Sequence, residues 1–517
     1  MTLIPPHKLE SPSSYSERLG LVHAASVTTA HKKGLGQFYT PLEIARFMAN
    51  LASPQKETVR ILDPGCGSCV LSCSLIEALV EKDCKLKKIE LTIYEIDKTL
   101  VPVASEALVY LKKWLLDKNI AFDYTLNVTD FLLDNSLTLF AKKSTNNNYD
   151  IVISNPPYFK LSMNDERVAN VKNIVYGQPN IYTLFLYIAA TLLNEKGELI
   201  FITPRSFASG NYYKYFRNEF FSLIQLKRIH LFESRKEAFN KDNVLQENVI
   251  LYGIRGKIKA NSIVEISSSR GLNDLMKSRS HQYKLNKLVD YKNHQKILHL
   301  PISSDDEKTI NLFKSWTGNF RKYNIQISTG PVVSFRCNEL LSSDANKDNL
   351  VPLILLHNTQ KMKYNWPIPN IKKPQYIVDS DKSKKLLLQN KNYILLRRFS
   401  SKDDKSRLVA TPYFSRYTEA PLIGVENHLN YIYRENSELD KHEILGLALL
   451  LNSSLCDAYF RTFNGSINVS ATELREMPMP PLSIIKKIGA AYKPVKKITQ
   501  QYIDMLVNEH ITRNANE

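Results

Sequence analysis

Through its first 260 residues the chain alternates short apolar runs with segments of helical period, and no other feature restricts its fold so tightly. Runs at 59–62, 88–94, 149–154, 197–203 and 249–253 predict strands, while residues 70–80 and 181–193 recur at the spacing of a helix face. A strand, a helix and a second strand return the chain to the same end of a sheet, so such a series pairs in parallel with helices on both faces. Residues 1–260 are therefore expected to form an α/β domain, with an N-terminal arm at 1–30. Lys, Ser, Asn and Arg dominate 255–300, so 261–300 is read as a linker and 301–517 as a second domain of mixed α+β character. In that second part helices are expected at 442–460 and 483–508, and short β-branched and aromatic runs punctuated by prolines fill 325–425.

Charge narrows the partner. Lys plus Arg number 69 against 51 Asp plus Glu, a net +18. Residues 1–260 hold 32 basic and 26 acidic groups (+6), and 261–517 hold 37 and 25 (+12). Between Lys361 and Arg407 thirteen Lys or Arg face only Asp379, Asp381, Asp403 and Asp404, with tyrosines and tryptophan interleaved. Such a stretch suits phosphate contacts and stacking, or else is a solvated basic face. No run approaches the roughly 18 apolar residues that a membrane span requires, and Met1 to Ser14 lacks a signal peptide's apolar segment, so the cytoplasm is expected. The six cysteines, three of them at Cys66, Cys69 and Cys73, do not form a secreted disulfide framework. Cys66 and Cys69 have no second ligand pair at zinc spacing, so no metal is expected and small side chains beneath a tight turn are the simpler reading.

Three strand ends carry chemistry. Asp63-Pro64-Gly65-Cys66-Gly67-Ser68 follows the first run, where small residues let backbone approach a ligand beyond a strand's carboxyl end. Glu95, in Tyr94-Glu95-Ile96-Asp97, ends the second, where an acid can accept both hydroxyls of a ribose. Asn155-Pro156-Pro157-Tyr158 follows the strand at 150–154. Its prolines fix φ and remove two donors, leaving the Asn155 amide oxygen and the Pro156 carbonyl as adjacent acceptors for the two hydrogens of a planar amino group, with Tyr158 able to stack on its ring.

On these residues the chain resembles the gamma-type N6-adenine DNA methyltransferases of type II restriction-modification systems, over nearly its whole length. Gly36-Gln37-Phe38-Tyr39-Thr40-Pro41 looks like their amino-terminal cofactor motif, Asp63 to Ser68 their glycine loop, Glu95 their ribose acid, and Asp130-Phe131 the pair on the cofactor adenine. Asn155 to Tyr158 matches their catalytic motif. Asn180-Ile181-Tyr182 and Gly197 to Pro204 resemble later motifs, and Phe239 the aromatic on the far face of the extruded base. Ser328 to Val333, Arg397-Arg398-Phe399-Ser400-Ser401-Lys402, Asn464-Gly465-Ser466 and Val469 to Pro480 look like the target-recognition region of PstI- and BsuBI-type methylases.

The resemblance implies a Rossmann-like catalytic domain that takes S-adenosylmethionine, with Tyr39, Thr40, Pro41, Asp63, Gly65, Gly67, Glu95, Asp130 and Phe131 around it. It implies Asn155, Pro156 and Tyr158 as the catalytic group, Tyr158 and Phe239 stacking the target adenine, and Arg397, Arg398 and Lys402 on double-stranded DNA. A cognate restriction endonuclease is its implied functional partner. Methylation of RNA or of a protein glutamine, and an inactive DNA-binding relative, are the alternatives that the motifs leave open.

Overall fold

The computed structural model describes residues 4–513, except 54, 83–84, 137–148, 234–246, 292 and 402. The chain divides into two compact units, Met1–Ile302 and Ser303–Glu517.

The first unit is built on a nine-stranded sheet. Its strands are β1 (Thr58–Asp63), β2 (Lys88–Tyr94), β3 (Ala121–Asn127), β4 (Tyr149–Ser154), β5 (Leu193–Pro204), β6 (Ile224–Phe232), β7 (Asn248–Arg255), β8 (Ile263–Ser269) and β9 (Arg279–Lys284), in the order 3-2-1-4-5-7-6-8-9. Strands β1 to β5 run parallel, and β7 lies antiparallel between β5 and β6. Successive side chains of a strand face opposite sides, and the central strands are apolar on both. Ile61, Ile151, Ile153, Ile200 and Ile202 pack in one core with the helices Val70–Lys82 and Val101–Leu116. Leu62, Val152, Leu199 and Phe201 face the other core, with the helices Ile181–Leu192 and Lys214–Leu223. This is the doubly wound, Rossmann-like architecture. After β1 the chain builds outward through β2 and β3, and with β4 it turns to the opposite side, which opens a crevice beyond the carboxyl ends of β1 and β4.

All five expected strands are present, and four more accompany them. β3 is the sheet's edge and buries only Phe122 among its side chains, so it carries too short an apolar signal to be expected from sequence. The linker expected at 261–300 is corrected. Val264 and Ile266 are buried in β8, β8 pairs with β6 and β9, and Leu285, Leu288 and Leu298 complete the first unit's core. The polar residues that read as linker include the exposed side of the edge strand β9 and the buried serines of β8, of which Ser267 and Ser269 bond His230. The N-terminal arm is likewise a packed helix, Pro12–Ser26, with Tyr15 and Leu19 fully buried beside Leu75 and Ile76.

The second unit combines a four-stranded antiparallel sheet (Gln326–Thr329, Leu429–Tyr433, Tyr393–Arg397, Ala410–Tyr413) with a mixed five-stranded one and a helical bundle. Both long helices expected there are broken. Ser453 caps a new helix, so the first becomes Lys441–Asn452 and Ser454–Phe463, bent by 58°. Pro494 lies in the gap between Leu482–Ala491 and Gln500–Arg513. The helices Lys441–Asn452 and Leu482–Ala491 cross at glycines, for a Cβ on Gly446 would lie 1.9 Å from the Ile485 carbonyl and one on Gly489 1.9 Å from that of His442. Among the described residues no single helix is long and apolar enough to cross a membrane.

Candidate active site

At the end of β1 the chain turns through Pro64 to Ser68, and Gly67 takes a φ of +54°, open to glycine but costly for other residues. A Cβ on Gly67 would meet nothing within 4 Å and one on Gly65 only a Phe185 ring carbon at 3.9 Å, so both glycines present bare backbone to open space. Cys66, Cys69 and Cys73 are free thiols buried around this turn and the helix after it. Asp63 is corrected from cofactor ligand to support. It is fully buried, accepts hydrogen bonds from Ser72 Oγ (2.7 Å) and Gly65 N (3.4 Å), and does not line the cavity.

Burial pushes the Asp63 carboxyl up to about 7, from 3.8. Between those values the folded chain holds a proton that the unfolded chain has lost, so stability falls as pH rises from about 4 to about 7, by on the order of 4 kcal/mol. Asp63→Asn is expected to flatten that slope in melting temperatures measured across the same range; a slope like the parent's would show that Asp63 ionises elsewhere.

Glu95 stands at the tip of β2, nearly buried, and each carboxylate oxygen accepts one backbone N–H: Gly67 N at 2.9 Å and Asp97 N at 2.8 Å. Burial raises its carboxyl, with these backbone donors opposing. The glycine loop and the acid are thus fixed to each other, with a second lone pair left on each oxygen. Asp97, two residues on, is a hub that the sequence did not reveal. It accepts from His31 Nε2 (2.7 Å), Gln37 Nε2 (2.7 Å) and Thr99 Oγ1 (2.7 Å). Burial alone would raise its carboxyl, but these donors hold it well below the usual range. His23 adds a second tie, to the Tyr39 hydroxyl at 2.7 Å and Thr99 Oγ1 at 2.9 Å. Together they pin residues 31–39 against the end of β2.

That pinned segment orients Asn155. The Asn155 amide donates to the Phe38 carbonyl (3.1 Å) and to Thr40 Oγ1 (3.0 Å), while the single hydrogen of the Tyr158 hydroxyl is shared between Asn155 Oδ1 and the Ile202 carbonyl, the latter at 3.0 Å. A carbonyl can only accept, so the face of the amide toward Phe38 must be nitrogen, and Oδ1 is fixed as an acceptor with one lone pair in reserve. Gly36, at φ +63°, allows the two segments to meet: a Cβ there would sit 2.7 Å from the Phe159 ring and 3.2 Å from Tyr158 N.

One cavity of about 250 Å³ gathers these parts. Tyr39, Thr40, Gly65, Gly67, Glu95, Asp130, Phe131 and Asn155 all line it. Asp130 caps the helix Phe131–Ser136 through the Leu132 and Leu133 amides, at 2.8 and 3.2 Å. Phe131 is held by Tyr94 and Phe185, each ring centre 5.2 Å away. Pro41, Pro156 and Tyr158 do not line it. Pro41 precedes the helix Leu42–Ala49, and Pro156 is buried, its carbonyl accepting no hydrogen bond among the described residues. Tyr158 is buried beneath, its ring stacked on Phe38 at 5.4 Å, so in this state Phe38 covers the face expected to take a base. Gln37 and Phe38, within the motif Gly36 to Pro41, also line the cavity, as do Phe159 and Arg167, which no sequence motif marks. Arg167 binds Asp165 (2.7 Å), approaches Asp130 (3.7 Å) and lies 5.7 Å over the Phe159 ring. Phe239 falls outside the described residues.

In the second unit Arg397 lies on an inner strand of the four-stranded sheet. It is half-buried and donates to the Thr359 carbonyl, an internal role that a basic run conceals. Arg398 donates to the Asn427 carbonyl (3.1 Å) and lies 5.2 Å over the ring of Phe399, itself beside His428. Lys402 falls outside the described residues.

The chain's similarities agree with this geometry. Residues 56–239 match the family model of the Eco57I restriction-modification methylases. The chain is 32% identical to the type II methyltransferase M.BsuBI of Bacillus subtilis over 482 residues, 93% of this chain and 94% of that one. It is 30% identical to the type II methyltransferase M.PstI of Providencia stuartii, over 92% and 93%. A cryo-electron microscopy structure of a DrdV–DNA complex shares the fold, with a TM-score of 0.50 at 15% identity over 92% of this chain and 59% of that one. Likeness along almost the full length sets aside RNA and protein-glutamine methylation and an inactive relative. The chain belongs to the type II DNA methyltransferases of restriction-modification systems, with S-adenosylmethionine as cofactor and DNA as partner.

Proposed function

We propose that the enzyme methylates the exocyclic N6 of an adenine turned out of duplex DNA. The observation that carries this reading is the fixed Asn155 amide, whose oxygen is committed to accepting on the wall shared with Gly65, Gly67 and Glu95. S-adenosylmethionine supplies an electrophilic methyl group when bound, and the bare backbone of Gly65 and Gly67, the Glu95 carboxylate and the Phe131 ring fit its parts.

An adenine amino group is a weak nucleophile because its lone pair is delocalised into the ring. Asn155 Oδ1 and the Pro156 carbonyl, accepting its two hydrogens, favour a tetrahedral nitrogen and stabilise the positive charge that grows on it. Turning the base out of the duplex costs a few kcal/mol. Stacking on Tyr158 offsets about 1–3 kcal/mol of that, once the half-buried Phe38 side chain rotates aside while its carbonyl keeps hold of Asn155. Phe239 is the candidate for the opposite face. A carbon target is disfavoured, since it calls for a thiolate nucleophile. The thiol on the cavity wall, Cys66, is pushed well above its ordinary value by the Cys69 hydrogen bond and by burial.

The basic second unit reads the sequence, with Arg398 and Phe399 at its DNA edge and Lys402 as a further candidate by resemblance. An endonuclease cutting the same site when unmethylated is the functional counterpart, and both work on DNA in the cytoplasm. The test is nucleoside mass spectrometry of DNA from cells expressing the protein. N6-methyladenine at one sequence is expected; N4- or C5-methylcytosine in its place overturns the base assignment.

A further inference from the structure

Beside the catalytic loop lies a surface that no role so far described uses. Tyr176, Tyr212 and Tyr215 are exposed at 38, 56 and 43%, although tyrosine usually buries its ring. They come from two stretches, the return of the catalytic loop at 170–178 and the segment after β5 at 205–218. Tyr176 and Tyr215 meet edge to face at 5.7 Å, and Lys214 Nζ lies 3.8 Å from the first ring centre and 4.9 Å from the second. Tyr212 closes over Gly177, where a Cβ would come within 2.5 Å of its ring. Among the described residues the three phenol hydroxyls have no hydrogen-bond partner.

The patch is anchored to the site. Ser206 joins the hydroxyls of Tyr213 (3.2 Å) and Tyr182 (3.0 Å), and the Tyr182 ring meets Tyr158 edge-on at 6.3 Å. Its charge is one-signed: the two stretches contain Lys172, Arg205, Lys214 and Arg217 and no Asp or Glu. Arg217 is buried and bonded to the Gln295 and Phe207 carbonyls, so Lys172 and Lys214 are the cations nearest solvent.

We infer that this surface holds the DNA strand flanking the turned-out adenine, with Tyr212 and Tyr215 against its sugars or bases and Lys214 at a phosphate. Fixed aromatic rings with an adjacent ammonium are what an unstacked strand requires, and the patch continues from the loop that carries Asn155. The inference rests on the proposed reading that DNA presents an extruded base here.

The test uses the full chain and unmethylated plasmid DNA. Tyr212→Ala with Tyr215→Ala is expected to raise KM for plasmid about tenfold, as loss of a stacking contact does, with kcat, melting temperature and S-adenosylmethionine affinity near the parent's. The paired Tyr→Phe changes should restore KM. Lys214→Ala should reduce the slope of log affinity against log salt by about 1. A KM within twofold of the parent's overturns the inference, as does a change in self-association with DNA affinity intact. Either result leaves the proposed function standing, whereas a parent enzyme that transfers no methyl group to adenine removes the proposed function itself.

Discussion

Asn155→Ala is expected to slow methyl transfer about a thousandfold, the scale seen when one preorganised electrostatic contact to a developing charge is removed, with S-adenosylmethionine and duplex affinity little changed. Binding survives because Glu95 holds Gly67, and Asp97 holds Gln37 and His31, without help from Asn155. Tyr158 also keeps an anchor in the Ile202 carbonyl. Chemistry fails because the acceptor aimed at the amino group is gone. Asn155→Asp sharpens the test. Its carboxylate still accepts, but its second oxygen must face the Phe38 carbonyl where a donor stood, and that repulsion should turn the group away. Single-turnover transfer of a labelled methyl group measures both, and an alanine variant within tenfold of the parent would mean that Asn155 is not the acceptor.

The second large effect is expected at Gly36. A side chain at φ +63° costs about 1–2 kcal/mol in backbone strain, and the new Cβ would press within 3.2 Å of Tyr158 N, which cannot yield as a side chain can. Gly36→Ala should therefore displace the catalytic loop from the Phe38–Thr40 segment by a few tenths of an ångström or more and lower kcat about a hundredfold, since small misplacements carry such costs. The melting temperature should fall by only a few degrees. Steady-state rates with plasmid, beside thermal melts, separate lost geometry from lost folding; an unaltered kcat would show that the two segments meet elsewhere during turnover.

Much of this site is legible in the sequence because its parts sit at ends of the most regular strands. β1 and β4 carry short apolar runs and β2 alternates Ile89, Leu91 and Ile93 with polar residues, and Pro64-Gly65, Glu95 and Asn155 follow them directly. The outlying strands β3, β8 and β9 are not legible, since each sets only one or two buried apolar side chains (Phe122; Val264 and Ile266; Tyr283) among polar or partly exposed ones. Nor are contacts that exist only after folding. Nothing local to Phe38 announces that its carbonyl orients an amide 117 positions away, and Asp97 reads as a surface acid until His31 and Gln37 close on it. Arg397 shows the same limit: the resemblance sets it on DNA, and nothing in its sequence announces the Thr359 carbonyl it meets on an inner strand. Tyr158 was expected facing a base, and its ring stacks on Phe38, a pairing across 120 positions that no local pattern announces.

The two compact units have a consequence for inheritance. Each encloses its own core, so residues that shape one are not building blocks of the other. If the second unit reads the target sequence as proposed, recombination near residue 302 would hand a lineage a new address on the genome while the chemistry proposed at Asn155 passed on unaltered.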